Sequence, residues 1–160
     1  MVKNIPAALS SRLKRSRRTV AVAESCTAGL LGYRLTEIAG SSDYFLGGVI
    51  AYRDKVKTKL LGVPEKLLKR DGAVNPQTAA SMARRVRRLF GSDYGVSITG
   101  VAGPGGGTQK KPVGLVYAAV SSATRTIGKE YRFRGARAQV RSRSAQAALE
   151  LLLGFLTGKS

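Results

Sequence analysis

The chain has 160 residues, 43% of them hydrophobic, and carries 28 Lys and Arg against nine Asp and Glu for a net charge of +19. It has no histidine and a single cysteine, Cys26, which excludes Ser-His-Asp and Cys-His catalysis, an intramolecular disulfide and a cysteine-based zinc or iron–sulfur site. The nine carboxylates are scattered without a close cluster, so no metal and no cofactor is expected, and any catalytic base must be something other than imidazole.

This length fits one domain, residues 1–160, large enough to bury a core unaided. No run of about 18 apolar residues occurs and the first residues lack the uninterrupted apolar segment of a signal peptide. A cytoplasmic location without a membrane partner is expected. The positive charge favours anionic partners. It is dispersed over residues 12–18, 53–59, 66–70, 84–88 and 132–143, mostly where helices are expected. Solvated helical faces are the favoured reading and a nucleic-acid surface is the alternative. An aromatic content of 6% without tryptophan gives little support to base stacking.

In chain order, Pro6 opens an amphipathic helix over residues 6–17 with Ala7, Leu9 and Leu13 inward. TVAVA, residues 19–23, is short and apolar and reads as a buried strand. ESCTAG then leads into a helix over residues 30–38. FLGGVIAY, residues 45–52, is a second strand, and Asp54 is expected to cap a helix carrying Val56, Leu60 and Leu61. Helices follow at 65–70 and, opened by Pro76, at 76–90. YGVSIT, residues 94–99, is a third strand. GVAGPGGGTQKKPVG is too rich in glycine and proline for regular structure. Residues 113–121 and 126–133 read as neighbouring strands joined by the polar SSATR turn, and residues 136–156 as a closing helix. The alternation predicts an α/β fold, a three-layer α/β/α sandwich on a mixed, mostly parallel sheet. Ligands in such folds gather at the carboxyl ends of strands, where Ser25, Tyr52 and Thr99 lie.

A serine just past a buried strand at a helix amino terminus has unpaired N–H groups beside it, and such groups can hold an oxyanion. Ser25 or Thr27 could equally act only as a helix cap, and Cys26 is a rival nucleophile or a small buried side chain. Without histidine, the base for a serine reduces to lysine, a carboxylate or an activated tyrosine. A lysine qualifies if burial or neighbouring positive charge keeps it neutral. Lys55, Lys57 and Lys59 are all candidates by charge, and spacing does not choose among them. Thr99, Gly100 and Gly103 belong to a loop whose small residues allow backbone to approach a ligand, although it matches neither the P-loop nor the dinucleotide fingerprint. Arg137 and Arg141, four apart near the start of the last helix, can clamp a phosphate or carboxylate or be surface charge.

AESCTAG, IAGSSDYFLGGVIAY, KVKTKLLGV, GAVNPQTAASMA, SITGVAGPGGG, KPVG and a late GxRxxVR occur in one order. Together, over residues 5–157, they resemble the carboxy-terminal domain of the CinA family, the nicotinamide-mononucleotide deamidases. The resemblance implies an amidohydrolase that converts nicotinamide mononucleotide to nicotinate mononucleotide and ammonia. It places the catalytic serine on Ser25, its lysine base on Lys57 and an orienting or proton-relaying tyrosine on Tyr52. Cys26, Thr27, Thr99, Gly100, Gly103, Arg137 and Arg141 would line the substrate, with Arg137 on its anionic end. It also implies an oligomer, taken as a dimer. The chain departs from the family pattern at Ala136, Asn75 and Pro76, and at Arg53 and Asp54 beside Tyr52, changes that bear on selectivity more than on core chemistry. A non-catalytic, basic nucleic-acid-binding module linked to competence or DNA damage is the alternative.

Overall fold

The apolar run TVAVA folds as strand β1 (Val20–Glu24), buried along its whole length. Its side chains alternate between two cores: Val20 and Val22 pack with Leu9, Leu13, Leu31 and Leu152, while Ala21 and Ala23 pack with Leu61, Val63, Met82 and Val86. A strand apolar on both sides must be covered on both, and that requirement produces three layers. The computed structural model describes residues 4–158. Helices α1 (Ile5–Ser16), α2 (Leu30–Leu35) and α6 (Arg137–Thr157) cover one face, and α3 (Asp54–Lys59), α4 (Glu65–Asp71) and α5 (Pro76–Phe90) the other. None of the described helices is long and apolar enough to cross a membrane.

Strands β2 (Phe45–Ile50), β3 (Tyr94–Gly100), β4 (Leu115–Ser121) and β5 (Thr126–Arg132) complete one sheet in the order β2-β1-β3-β4-β5. β1 runs parallel to β2 and β3, whereas β3–β4 and β4–β5 are antiparallel. The sheet is mixed but not mostly parallel, which corrects the sequence expectation. A parallel neighbour needs a crossover that carries the chain back to its starting end. The glycine-proline loop after β3 supplies none, so β4 returns antiparallel. β4 and β5 form the expected neighbouring pair, closed by the Ser122 N–H donating to the Arg125 carbonyl at 2.8 Å.

Local chemistry explains most boundaries. Asn75 caps α5, its side chain accepting the Thr78 N–H at 2.8 Å, and Pro76 sits in the first turn where its missing N–H costs nothing. α5 lies close on the sheet because the contact is small on both sides: Ala79 and Ala83 meet Ala119, and a Cβ at Gly95 would strike the Ala83 carbonyl. Asp54 does not cap α3 as expected. The cap position is Arg53, which makes no side-chain capping bond, while the Asp54 carboxylate turns toward Lys57.

From β1 the chain moves outward to β2, then crosses back to β3 on the other side. The carboxyl ends of β1 and β3 therefore border the point where connections diverge, the usual crevice of an α/β sheet. Ser25 follows the first of these strands and Thr99 lies near the end of the second.

Candidate active site

A cleft of about 290 Å³ opens at this crevice, lined by Ser25, Cys26, Tyr52, Asp54, Lys57, Ala73, Val74, Arg137 and the loop from Thr99 to Gly106. Of the three candidate lysines only Lys57 is buried, its side chain 1% exposed, whereas Lys55 and Lys59 face solvent. Its Nζ donates to the Tyr52 carbonyl at 3.2 Å and to Asp54 Oδ1 at 3.3 Å. Burial lowers the pKa of this amine, against the opposing pull of Asp54 and, more weakly, Cys26. Ser25, 8% exposed, shares the cleft with Lys57, and no hydrogen bond joins the two side chains in this structure.

The turn after β1 is held by a buried carboxylate. Glu24, 1% exposed, accepts the N–H groups of Gly29 and Leu31 on Oε2 at 3.1 and 3.0 Å and that of Gly32 on Oε1 at 2.9 Å. The donors at the start of α2 are thus consumed, and any N–H groups left for a ligand lie in the turn before it. Ser25 N–H goes to the Ile98 carbonyl, Ala28 N–H to Ser25 and Leu30 N–H to Thr27. Among the described residues no carbonyl or side-chain oxygen accepts the N–H of Cys26 or Thr27. Those two donors remain beside the serine.

The other walls are tied by specific bonds. Thr99 Oγ1 donates to the Ala73 carbonyl at 2.8 Å, binding the end of β3 to the link before α5. Gly100 lines the cleft and is also required by packing, since a Cβ there would lie 2.7 Å from Val116 Cγ2 and 2.8 Å from the Leu115 carbonyl oxygen. Arg137 crosses the cleft rim, donating to the Gly103 carbonyl at 2.7 Å and to the Tyr52 hydroxyl at 2.9 Å. Arg141 stays behind the turn and donates to the Thr27 carbonyl at 2.8 Å. Of the two arginines only Arg137 lines the cleft, and Thr27, fully buried, does not. Among the described residues no three of the Cys, Asp and Glu side chains are grouped as a metal site requires.

The sequence matches the family described as CinA C-terminal domain over residues 2–156. The chain belongs to that family. CinA-like proteins of Thermosynechococcus vestitus, 53% identical over 143 residues, and Desulfovibrio desulfuricans, 47% identical over 161, cover 88% and 98% of it. The matches take up 34% and 38% of those relatives, so the CinA C-terminal domain seen here spans about a third of their length. Among solved structures, the competence/damage inducible protein CihA from Agrobacterium tumefaciens superposes with a TM-score of 0.93 at 36% identity, over 96% of this chain and 93% of its own. A CinA superfamily protein from Escherichia coli gives 0.91 at 30% identity, over 97% and 90%.

Two residues that shape this CinA domain's cleft, Glu24 behind the turn and Asp54 in the lining, were assigned no site role from sequence. Glu24 precedes Ser25 directly, and the signal was available: a carboxylate ending a fully apolar strand is buried and must find donors. Asp54 was read as a cap, although its spacing of three from Lys57 on a helix already placed the two within reach.

Proposed function

We propose that this CinA domain is an amidohydrolase that removes the carboxamide nitrogen of nicotinamide mononucleotide, with Ser25 as nucleophile and Lys57 as base. One observation carries this reading: in a chain without histidine, a lysine with a 1% exposed side chain lines the same cleft as a serine at a strand end. Desolvation favours the neutral amine, which is the form able to take a hydroxyl proton. Family membership supports the assignment.

Ser25 Oγ attacks the carboxamide carbon while its proton passes to Lys57 Nζ, and the developing oxyanion is held by the N–H groups of Cys26 and Thr27. As the C–N bond breaks, Lys57 returns the proton to nitrogen and ammonia leaves, with an ester remaining on Ser25. Water then attacks the ester, Lys57 takes a water proton and hands it back to Ser25 Oγ, and nicotinate mononucleotide departs. Water is the only co-reactant. Arg137, on the rim, holds the phosphate through its planar fork.

The test is ammonia release from nicotinamide mononucleotide by the wild-type chain, Ser25→Ala and Lys57→Met. Loss of about 10³-fold or more in kcat in both variants, each folded by circular dichroism, is expected by comparison with other serine hydrolases. Undiminished turnover in either variant rejects the assignment. The net charge of +19 favours a second reading as a nucleic-acid module, and salt-dependent binding to duplex or single strands that ignores Ser25 and Lys57 would support it instead.

A further inference from the structure

We infer that Asp54 is a positioning residue that aims the lone pair of the Lys57 amine into the cleft and sets the pH at which that lone pair becomes available. The inference rests on the reading of Lys57 as the base. A neutral amine has two N–H bonds and one lone pair. Two oxygens accept from Lys57 Nζ, the Tyr52 carbonyl at 3.2 Å and Asp54 Oδ1 at 3.3 Å. Both hydrogens of the neutral form are thereby used, leaving the lone pair for the cleft that Ser25 shares. In the ammonium form that same position carries a third hydrogen and can only donate. Protonation therefore turns the group facing the substrate from acceptor to donor without moving the side chain.

Asp54 acts in two opposed ways here. Its oxygen orients the amine, while its negative charge stabilises the ammonium form and so delays activation as pH rises. The Tyr52 carbonyl orients without carrying charge. The other ionisable groups facing Lys57 across the cleft are Cys26, Tyr52 and Arg137. Burial keeps the Cys26 thiol protonated up to about pH 11. Residues 101–107 of the loop after β3 and residues 72–75 before α5 contribute no ionisable side chain, and Lys111, farther along that loop, is held by the Asp71 carbonyl and does not line the cleft. Asp54 is thus the carboxylate in contact with the amine, and at 59% exposure its pull is screened by water.

Asp54→Asn keeps an acceptor oxygen and removes the charge, whereas Asp54→Ala removes both. The acid limb of kcat/KM for ammonia release is expected at lower pH in Asp54→Asn, with about a threefold gain at pH 7, the scale of a screened ion pair, and convergence with wild type at alkaline pH. Asp54→Ala is expected to move the limb the same way but to lose kcat on the alkaline plateau, where only orientation differs. An unmoved limb, or one displaced to higher pH, overturns the inference. In parallel, the 13Cε resonance of Lys57 is titrated in wild type and Asp54→Asn. That readout needs no turnover: a lower titration midpoint in the variant upholds the effect of Asp54 even if no amide is hydrolysed, in which case the proposed function alone fails. Equal midpoints overturn the inference whatever the activity.

Discussion

Arg137, the first residue of α6, donates to the hydroxyl of Tyr52, 85 residues earlier in the chain, at 2.9 Å. Its other terminal nitrogen reaches the Gly103 carbonyl at 2.7 Å, so one guanidinium fastens the β2–α3 link and the glycine loop together at the mouth of the cleft. Under the proposed function, a substrate phosphate arriving there would meet a fork already held in place, which lowers the ordering cost of binding. Arg137→Ala is expected to raise KM for nicotinamide mononucleotide by about tenfold or more, the scale of one charge-assisted hydrogen bond. Tyr52→Phe, which removes one of the guanidinium's two anchors, should raise it less. Initial rates across substrate concentration check both; an Arg137→Ala enzyme with unchanged KM means that the phosphate binds elsewhere.

Cys26 adjoins the proposed nucleophile, yet burial pushes its thiol up to about 11, only partly relieved by its own backbone N–H. The thiolate is therefore scarce at neutral pH. Native protein should react slowly with iodoacetamide at pH 8 and quickly once unfolded, and Cys26→Ser should retain most of the ammonia release. Rapid native alkylation accompanied by loss of activity would move the nucleophile from Ser25 to Cys26.

The layers of the fold were readable because periodicity reports burial directly. TVAVA read as a buried strand and folds as one, and the helix from Pro76 to Phe90 appears with the expected bounds between its proline start and Gly91. Strand direction was less readable. Nothing in the GVAGPGGG composition states at which end of the sheet the loop releases β4, and that decides parallel against antiparallel. The same limit applied to the site. Charge made Lys55, Lys57 and Lys59 equal, and only the packed position of α3 separates the buried amine from two exposed ones. Arg137 and Arg141 were likewise equivalent by spacing, until the turn after β1 took one of them and the cleft the other.

Asp93 clasps the start of β1 to the link before β3. Its Oδ1 accepts from Arg18 at 2.6 Å, and its Oδ2 accepts the Thr19 N–H at 2.9 Å and the Thr19 hydroxyl at 3.0 Å. Burial pushes the carboxyl up, but the Thr19 and Arg18 bonds outweigh it and hold the pKa below its ordinary 3.8. A carboxyl lowered in the folded state contributes stability that is complete above the unfolded value and lost as pH falls through the folded one. Asp93→Asn is expected to lower stability by about 1 kcal/mol at pH 7, allowing for solvent screening of Arg18. The gap from wild type should close below about pH 4. Urea midpoints measured across that range test the sign; a gap that widens on acidification contradicts it.

Glu24 holds three N–H groups with a single carboxylate that is 1% exposed, and it does so in the residue before the proposed nucleophile. Removing it by Glu24→Ala would leave the buried Leu31 N–H and the half-buried Gly29 and Gly32 N–H groups without their acceptor, each costing about 1–3 kcal/mol. A loss of at least about 3 kcal/mol is therefore expected in urea unfolding. Glu24→Gln separates holding the turn from mere packing. Its shape is preserved, but one of the two accepting oxygens becomes an amide that donates, so one edge of the carboxylate must break contact with either Gly32 or the Gly29 and Leu31 pair. The turn should stay folded with its Cys26 and Thr27 donors displaced. Since a misplaced oxyanion donor costs transition-state rather than ground-state binding, kcat should fall by about tenfold or more while KM changes little. If kcat and KM both hold in a folded Glu24→Gln enzyme, the carboxylate serves stability alone and the oxyanion donors are fixed by other contacts.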